Sequence, residues 1–99
     1  MPKIKGLEYD QLTGLYNRWK CRQELENILE QGEVRVIGTI DLDNFKAVNE
    51  TYGTEMGDNL LKAIAQALRL SYPGSDIYRI SGDEFAFILK PTTYSRYAM

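Results

Sequence analysis

Three carboxylates stand where a folded chain can bring them together: Asp41, Asp83 and Glu84. Asp41 lies near the end of an apolar run, VRVIGTIDL over 34–42, and the carboxyl ends of such strands are where α/β sheets place their ligands. Asp83 and Glu84 lie in and beside a tight turn, Ser81-Gly82-Asp83, between two further strand-like runs. If that hairpin pairs beside the first strand, its turn arrives next to Asp41. Carboxylates gathered in this way repel one another and are tolerated chiefly when a cation neutralises them. Oxygen ligands suit hard cations, Mg²⁺ first, with Mn²⁺ and Ca²⁺ as alternatives. Two such metals can activate a 3′-hydroxyl and steady a triphosphate during in-line attack. The spacing also fits plainer roles: turn carboxylates usually face solvent, and Asp43 suits a helix cap better than a ligand. An EF-hand is excluded. Counted from Asp41, Phe45 stands where that loop needs a ligand and Lys46 where it needs glycine.

Composition narrows the chemistry further. The chain has no histidine, which removes Ser-His-Asp catalysis and histidine metal sites. Its single cysteine, Cys21, forms no internal disulfide and falls at an apolar helical position, so it belongs to packing. A net charge of −2 argues against a nucleic-acid polymer as partner but not against one nucleotide whose charge a metal offsets. With 99 residues, 43% hydrophobic and 26% charged, a single domain with a modest core is expected over 1–99. Help from a partner chain or a ligand would then matter to its stability. No apolar run approaches the ~18 residues of a membrane span, and the first ten residues lack a signal peptide's apolar stretch. A cytoplasmic location is the expectation.

The elements that must position these acids follow from periodicity. Asn17 is placed to cap a helix starting at Arg18, with Cys21, Leu25, Ile28 and Leu29 at helical spacing and Gly32 as its stop. Residues 34–42 have the composition of a buried central strand. A short helix follows over NFKAVNETYG, capped by Asp43 or Asn44 and ended by Gly53. A longer helix comes next, with an apolar stripe of Met56, Leu60, Leu61, Ile64, Ala67 and Leu68. Pro73-Gly74 breaks the chain before two strands, 76–80 and 84–90, in which Phe85, Phe87 and Leu89 share a face. The segment 91–99 carries no pattern. Helices on one face of three strands would leave the other face open, so the domain looks incomplete.

Motifs carry the argument beyond spacing. Residues 10–18, DQLTGLYNR, resemble the D-x-L-T-G-L-x-N-R opening of GGDEF domains, and 41–49, DLDNFKAVN, resemble their D-x-D-x-F-K-x-x-N segment. Tyr52-Gly53 and Gly57-Asp58 match the Y-G and G-D steps that follow. Residues 79–85, RISGDEF, are similar to the R-Y-G-G-D-E-F signature itself. Four motifs in the family's order span nearly the whole chain.

The resemblance implies a palm-like, nucleotidyl-cyclase-like α+β fold of the broad α/β class. It has a central, mostly antiparallel sheet packed against helices, with about the first two-thirds of the family domain present. It implies a bacterial signalling transferase, a diguanylate cyclase that condenses two GTP molecules into cyclic di-GMP across a homodimer. The metal ligands implied are Asp41, the Leu42 carbonyl, Asp83 and Glu84, with Asp83 and Glu84 also catalytic. Asn49 and Asp58 would recognise guanine, whose N–H donors suit a carboxylate while adenine offers no such pair. Phe45 and Lys46 would lie along the phosphates. Ser81 and Gly82 would lie at the phosphates, and Gly82 would let backbone approach them, since no Cβ intrudes at glycine. Three departures accompany the match. Ser81 replaces the signature's first glycine. No arginine opens an R-x-x-D product site in 72–76. The family's later helix, strands and basic residues are absent, which leaves apolar surface that invites dimerisation. The other function that fits is a shortened module that binds guanine nucleotide or a partner without turnover.

Overall fold

Described over residues 7–89, the computed structural model begins the first helix where expected. Asn17 accepts a hydrogen bond from the Lys20 amide at 3.0 Å, and α1 runs over Arg18–Glu30. It is closed by Gln31 and by Gly32 with a left-handed φ of 64°. The remaining elements are β1 (Val36–Asp41), α2 (Phe45–Tyr52), α3 (Thr54–Ser71), β2 (Asp76–Ser81) and β3 (Glu84–Leu89). The expected strand end at Lys90 and the patternless segment 91–99 lie outside the described residues.

The strands form an antiparallel sheet of order β1-β3-β2, so the hairpin does pair beside the first strand. β1 is therefore an edge strand among the described residues, not the buried central one expected. Of its large apolar residues only Ile40 packs against the core, and it is only partly buried, while Val36 and Ile37 stay 45% and 48% exposed. It is β3 that is central, and Phe85, Ala86, Ile88 and Leu89 are all buried.

Helices cover both faces of this sheet, which corrects the one-sided arrangement expected. On one face α3 packs Leu61, Ala65 and Leu68 against Ile77 and Phe85, joined by Ile40, Phe45 and Phe87. On the other, Cys21 and Ile28 of α1 meet Tyr78, Ala86 and Ile88. Alternate residues of β2 and β3 are apolar on each side, so each face needs a cover. The buried line of α3 is Gly57, Leu61, Ala65 and Leu68. Met56 and Leu60, expected in its stripe, instead line an apolar groove with Val48 and Tyr52 of α2, and Ala67 is exposed. Leu29 of α1 is likewise exposed, one position past the buried Ile28.

The segment before α1 is fastened along β2. The Tyr16 amide donates to the Ile77 carbonyl at 3.2 Å, and the Arg79 amide donates to the Tyr16 carbonyl at 2.8 Å. Tyr9 stacks on Tyr16 and Tyr16 leans on the fully buried Tyr78, with ring centroids 5.2 and 5.5 Å apart. This lays residues 10–16 beside the strand that leads into the signature turn.

Candidate functional site

The register of β1 on β3 sets Asp41 directly opposite Glu84. The ladder continues one step further, because the Leu42 amide donates to the Asp83 carbonyl at 3.0 Å. The carboxylates from two separate elements are thus joined at one end of the sheet. Asp41 is exposed, yet its pKa is raised: such desolvation as it meets comes first, then the charge of Glu84 and a side-chain hydrogen bond with it, then Asp83 and Asp43. Carboxylates that repel one another in this way mark a place where a cation would be favoured. Among the described residues, no three acidic, histidine or cysteine side chains are drawn together closely enough to enclose a metal. The arrangement is a facing pair, not a closed cage. That suits Mg²⁺, which is commonly held by one or two carboxylates with phosphate and water completing its shell.

Asp43 does not cap α2, nor does the side chain of Asn44. Asn44 takes the cap position with a left-handed φ of 59° and makes no capping hydrogen bond. Asparagine tolerates that conformation better than most residues, and it lets the chain leave β1 and enter α2 within a few residues.

The signature turn is braced from behind. Ser81 donates to a Glu84 carboxylate oxygen at 2.7 Å, so the serine that replaces glycine holds the acid beside it. The Arg79 guanidinium donates to the Gly82 carbonyl at 3.1 Å through one nitrogen and to both Asp10 oxygens at 3.1 Å through another. Asp10 in turn accepts from the Thr13 amide at 2.9 Å and its hydroxyl at 2.7 Å. Burial alone would raise the Asp10 carboxyl, but Thr13 and Arg79 outweigh it and hold the pKa below 3.8. Between Arg79 and Ser81 the β2–β3 register slips, which leaves Ile80 as an extra residue before the turn. Gly82 needs no left-handed φ, and a Cβ built there meets nothing within 4 Å among the described residues. Neither backbone nor packing calls for glycine at this position.

A second group gathers where α2 meets α3. Asn49 has a buried side-chain oxygen without a hydrogen-bond partner among the described residues, and it lies against the buried Gly57, next in sequence to half-buried Asp58. Gly53, with φ 90°, makes the sharp turn between the helices. Lys46 is almost fully exposed and reaches Glu50 of its own helix at 3.9 Å. Phe45 packs partly against the α3-side core and near Gly57. Of the residues singled out from the sequence, Asp41, Leu42, Ser81, Gly82, Asp83 and Glu84 meet at the strand ends, and Phe45 and Asn49 meet at Gly57 on the helix junction, with Asp58 next in sequence. The bracing by Asp10, Thr13 and Arg79 was not assigned. Its only sequence signal was that Asp10 and Arg79 each open a motif.

Residues 7–98 match the family described as "Diguanylate cyclase, GGDEF domain". The chain is 38% identical over 88 residues to "Probable diguanylate cyclase DgcC" of Escherichia coli (strain K12), covering 84% of this chain and 24% of that protein. It is 39% identical over 85 residues to "Cyclic di-GMP phosphodiesterase NbdA" of Pseudomonas aeruginosa, covering 81% and 11%. Among solved structures, the GGDEF domain of DgcB from Caulobacter crescentus, in complex with c-di-GMP, superposes with a TM-score of 0.75 at 26% identity. That match covers 99% of this chain and 60% of the domain. The chain thus spans about a quarter of the Escherichia coli relative.

Proposed function

The chain belongs to the GGDEF family of diguanylate cyclase domains, and on that premise we propose that it binds GTP and, paired with a second copy, condenses two GTP molecules into cyclic di-GMP. The observation that carries this is the facing of Asp41 and Glu84 across β1 and β3, with the Ser81–Glu84 turn beside them. Asp41, Glu84, Asp83 and the Leu42 carbonyl are the oxygens that would hold Mg²⁺ or Mn²⁺. Bound there, the metal supplies charge neutralisation for the triphosphate and acidifies the attacking hydroxyl. Asp83 is assigned to accept the 3′-hydroxyl proton. Gly82 presents backbone to the phosphates without a Cβ in the way. Asn49 and Asp58 select the base, because their acceptor oxygens suit the N–H edge of guanine. Lys46 and Phe45 flank the phosphates. A cytoplasmic location accords with this, and among the described residues no helix is long and apolar enough to cross a membrane.

One observation favours a second function, binding without turnover. Lys46 stands in solvent with a loose partner on its own helix, so the described residues offer the triphosphate little fixed positive charge. The test of the metal site is Asp83→Asn. Its circular dichroism should match the wild type while Mg²⁺-dependent GTP affinity is lost. Unchanged affinity in that variant removes the metal site as drawn.

A further inference from the structure

We infer that α1 carries a self-complementary docking face whose partner is a second copy of this chain: two α1 helices pair antiparallel through Trp19, Arg22, Glu26 and Leu29, flanked by Arg18 and Glu30. This contact stands apart from the pairing proposed for catalysis. The inner side of α1 rests on Tyr78, Ala86 and Ile88. The facing acids lie at the Asp41–Glu84 end of the sheet, and α3 covers the opposite face.

Residues 19, 22, 26 and 29 follow one another by three-, four- and three-residue steps, the spacing that keeps side chains on one face of a helix. Cys21, Leu25 and Ile28 take up the side of α1 that meets the sheet. The second stripe is exposed throughout, Trp19 by 49% and Leu29 by 78%. A lone exposed apolar residue needs no explanation. Here two large ones close the ends of a single stripe, with opposite charges between them. Among the described residues, none of the four charges on Arg18, Arg22, Glu26 and Glu30 belongs to an ion pair.

The order of these residues fixes both the occupant and its direction. With a two-fold axis level with Glu24, Trp19 meets Leu29 of the second copy, Arg22 meets Glu26 and Arg18 meets Glu30. The symmetry then repeats each contact, as an isologous interface requires. A groove lined by Arg18, Trp19 and Arg22 receives the leucine. A parallel pair would instead set Arg22 on Arg22 and Glu26 on Glu26, and like charges so placed repel. The basic half of the face mirrors its own acidic half, which is the complementarity of a helix for itself. The face is short, since the 13 residues of α1 span only about 20 Å. Such a contact buries less than the ~1,600 Å² of a standard interface and belongs to the weak class.

Sedimentation equilibrium of the full chain, without nucleotide or Mg²⁺, measures this association free of any pairing around GTP. The wild type should dimerise with a Kd of roughly 0.1 mM, weakening as salt is raised. Arg22→Glu places two pairs of like charges across the axis and should weaken the dimer at least about tenfold, as should Glu26→Arg. Mixed in equal amounts, the two variants should form a heterodimer near wild-type strength, because every facing pair is again opposite. The exchange variant Arg22→Glu/Glu26→Arg should recover the dimer by itself. Circular dichroism of each variant should match the wild type, since both positions are exposed. A wild type still monomeric at about 1 mM overturns the inference, as do single variants that associate as tightly as wild type. Dissociation that neither mixing nor the exchange variant rescues overturns it too. If a single variant loses its helix signal, the exchange variant decides alone: recovered dimer upholds the pairing and a monomer refutes it. None of these outcomes bears on GTP, which is absent from the measurement.

Discussion

The contact between Asp10 and Arg79 supports the strongest stability prediction. Asp10→Ala removes a carboxylate that accepts from the Arg79 guanidinium and from both the amide and hydroxyl of Thr13. The pair is mostly shielded, with side-chain exposures of 16% for Arg79 and 21% for Asp10. Thr13 is buried, so its two donors lose their acceptor without free access to water. A charge-assisted bond contributes about 1.5–3 kcal/mol, and stranding neutral donors adds roughly another 1, which gives about 3 kcal/mol in all. That is a substantial share of the ~5–15 kcal/mol that holds a domain folded. Asp10→Asn keeps an oxygen for Thr13 and loses only the charge, so its cost should be nearer 1–2 kcal/mol. The pH dependence has a definite sign. Because the folded pKa of Asp10 is held below 3.8, its contribution is complete above that value and fades as pH falls toward the folded pKa. Urea titrations at neutral pH and near pH 3 read both effects: the gap between wild type and Asp10→Asn should be largest at neutral pH and narrow in acid. A difference under about 0.5 kcal/mol at neutral pH, or one that does not change with pH, would refute the bracing role.

Two further outcomes follow from the same geometry. Gly82→Ala meets open space at an ordinary φ, so its stability should stay within about 0.5 kcal/mol of wild type while GTP affinity falls, as read by calorimetry beside thermal melting. Equal affinity would mean that no phosphate approaches the turn. The Tyr78 hydroxyl is buried without a partner among the described residues, and burial with nearby Asp76 and Cys21 pushes its pKa up, so Tyr78→Phe should gain about 1 kcal/mol in denaturant unfolding; a loss would reveal a partner for the hydroxyl.

The order of elements was legible because each is announced locally: Asn17 and Gly32 around α1, Gly53 between α2 and α3, and Pro73-Gly74 before the hairpin. The meeting of Asp41 with Glu84 was also legible, since a hairpin pairing beside β1 leaves few other places for its turn. What periodicity could not say was which face each helix covers. Cys21 and Ile28 repeat correctly for a helix, but only the fold shows them against Tyr78 and Ala86 on the face thought open. Apolar content likewise made β1 look central, although Val36 and Ile37 remain half-exposed at the edge of the described sheet. The bracing of the turn was hidden because Asp10 and Arg79 are 69 positions apart. The seat of Asn49 was hidden because a missing side chain leaves no mark in a pattern of polar and apolar letters.

The central claim is that this arrangement of acids and helix junction turns GTP over. Purified chain incubated with GTP and Mg²⁺, with Asp83→Asn as control and the products separated by chromatography, tests it directly. The account predicts cyclic di-GMP from the wild type and none from the variant. GTP binding without product from the wild type would contradict it and leave the chain a guanine-nucleotide-binding module.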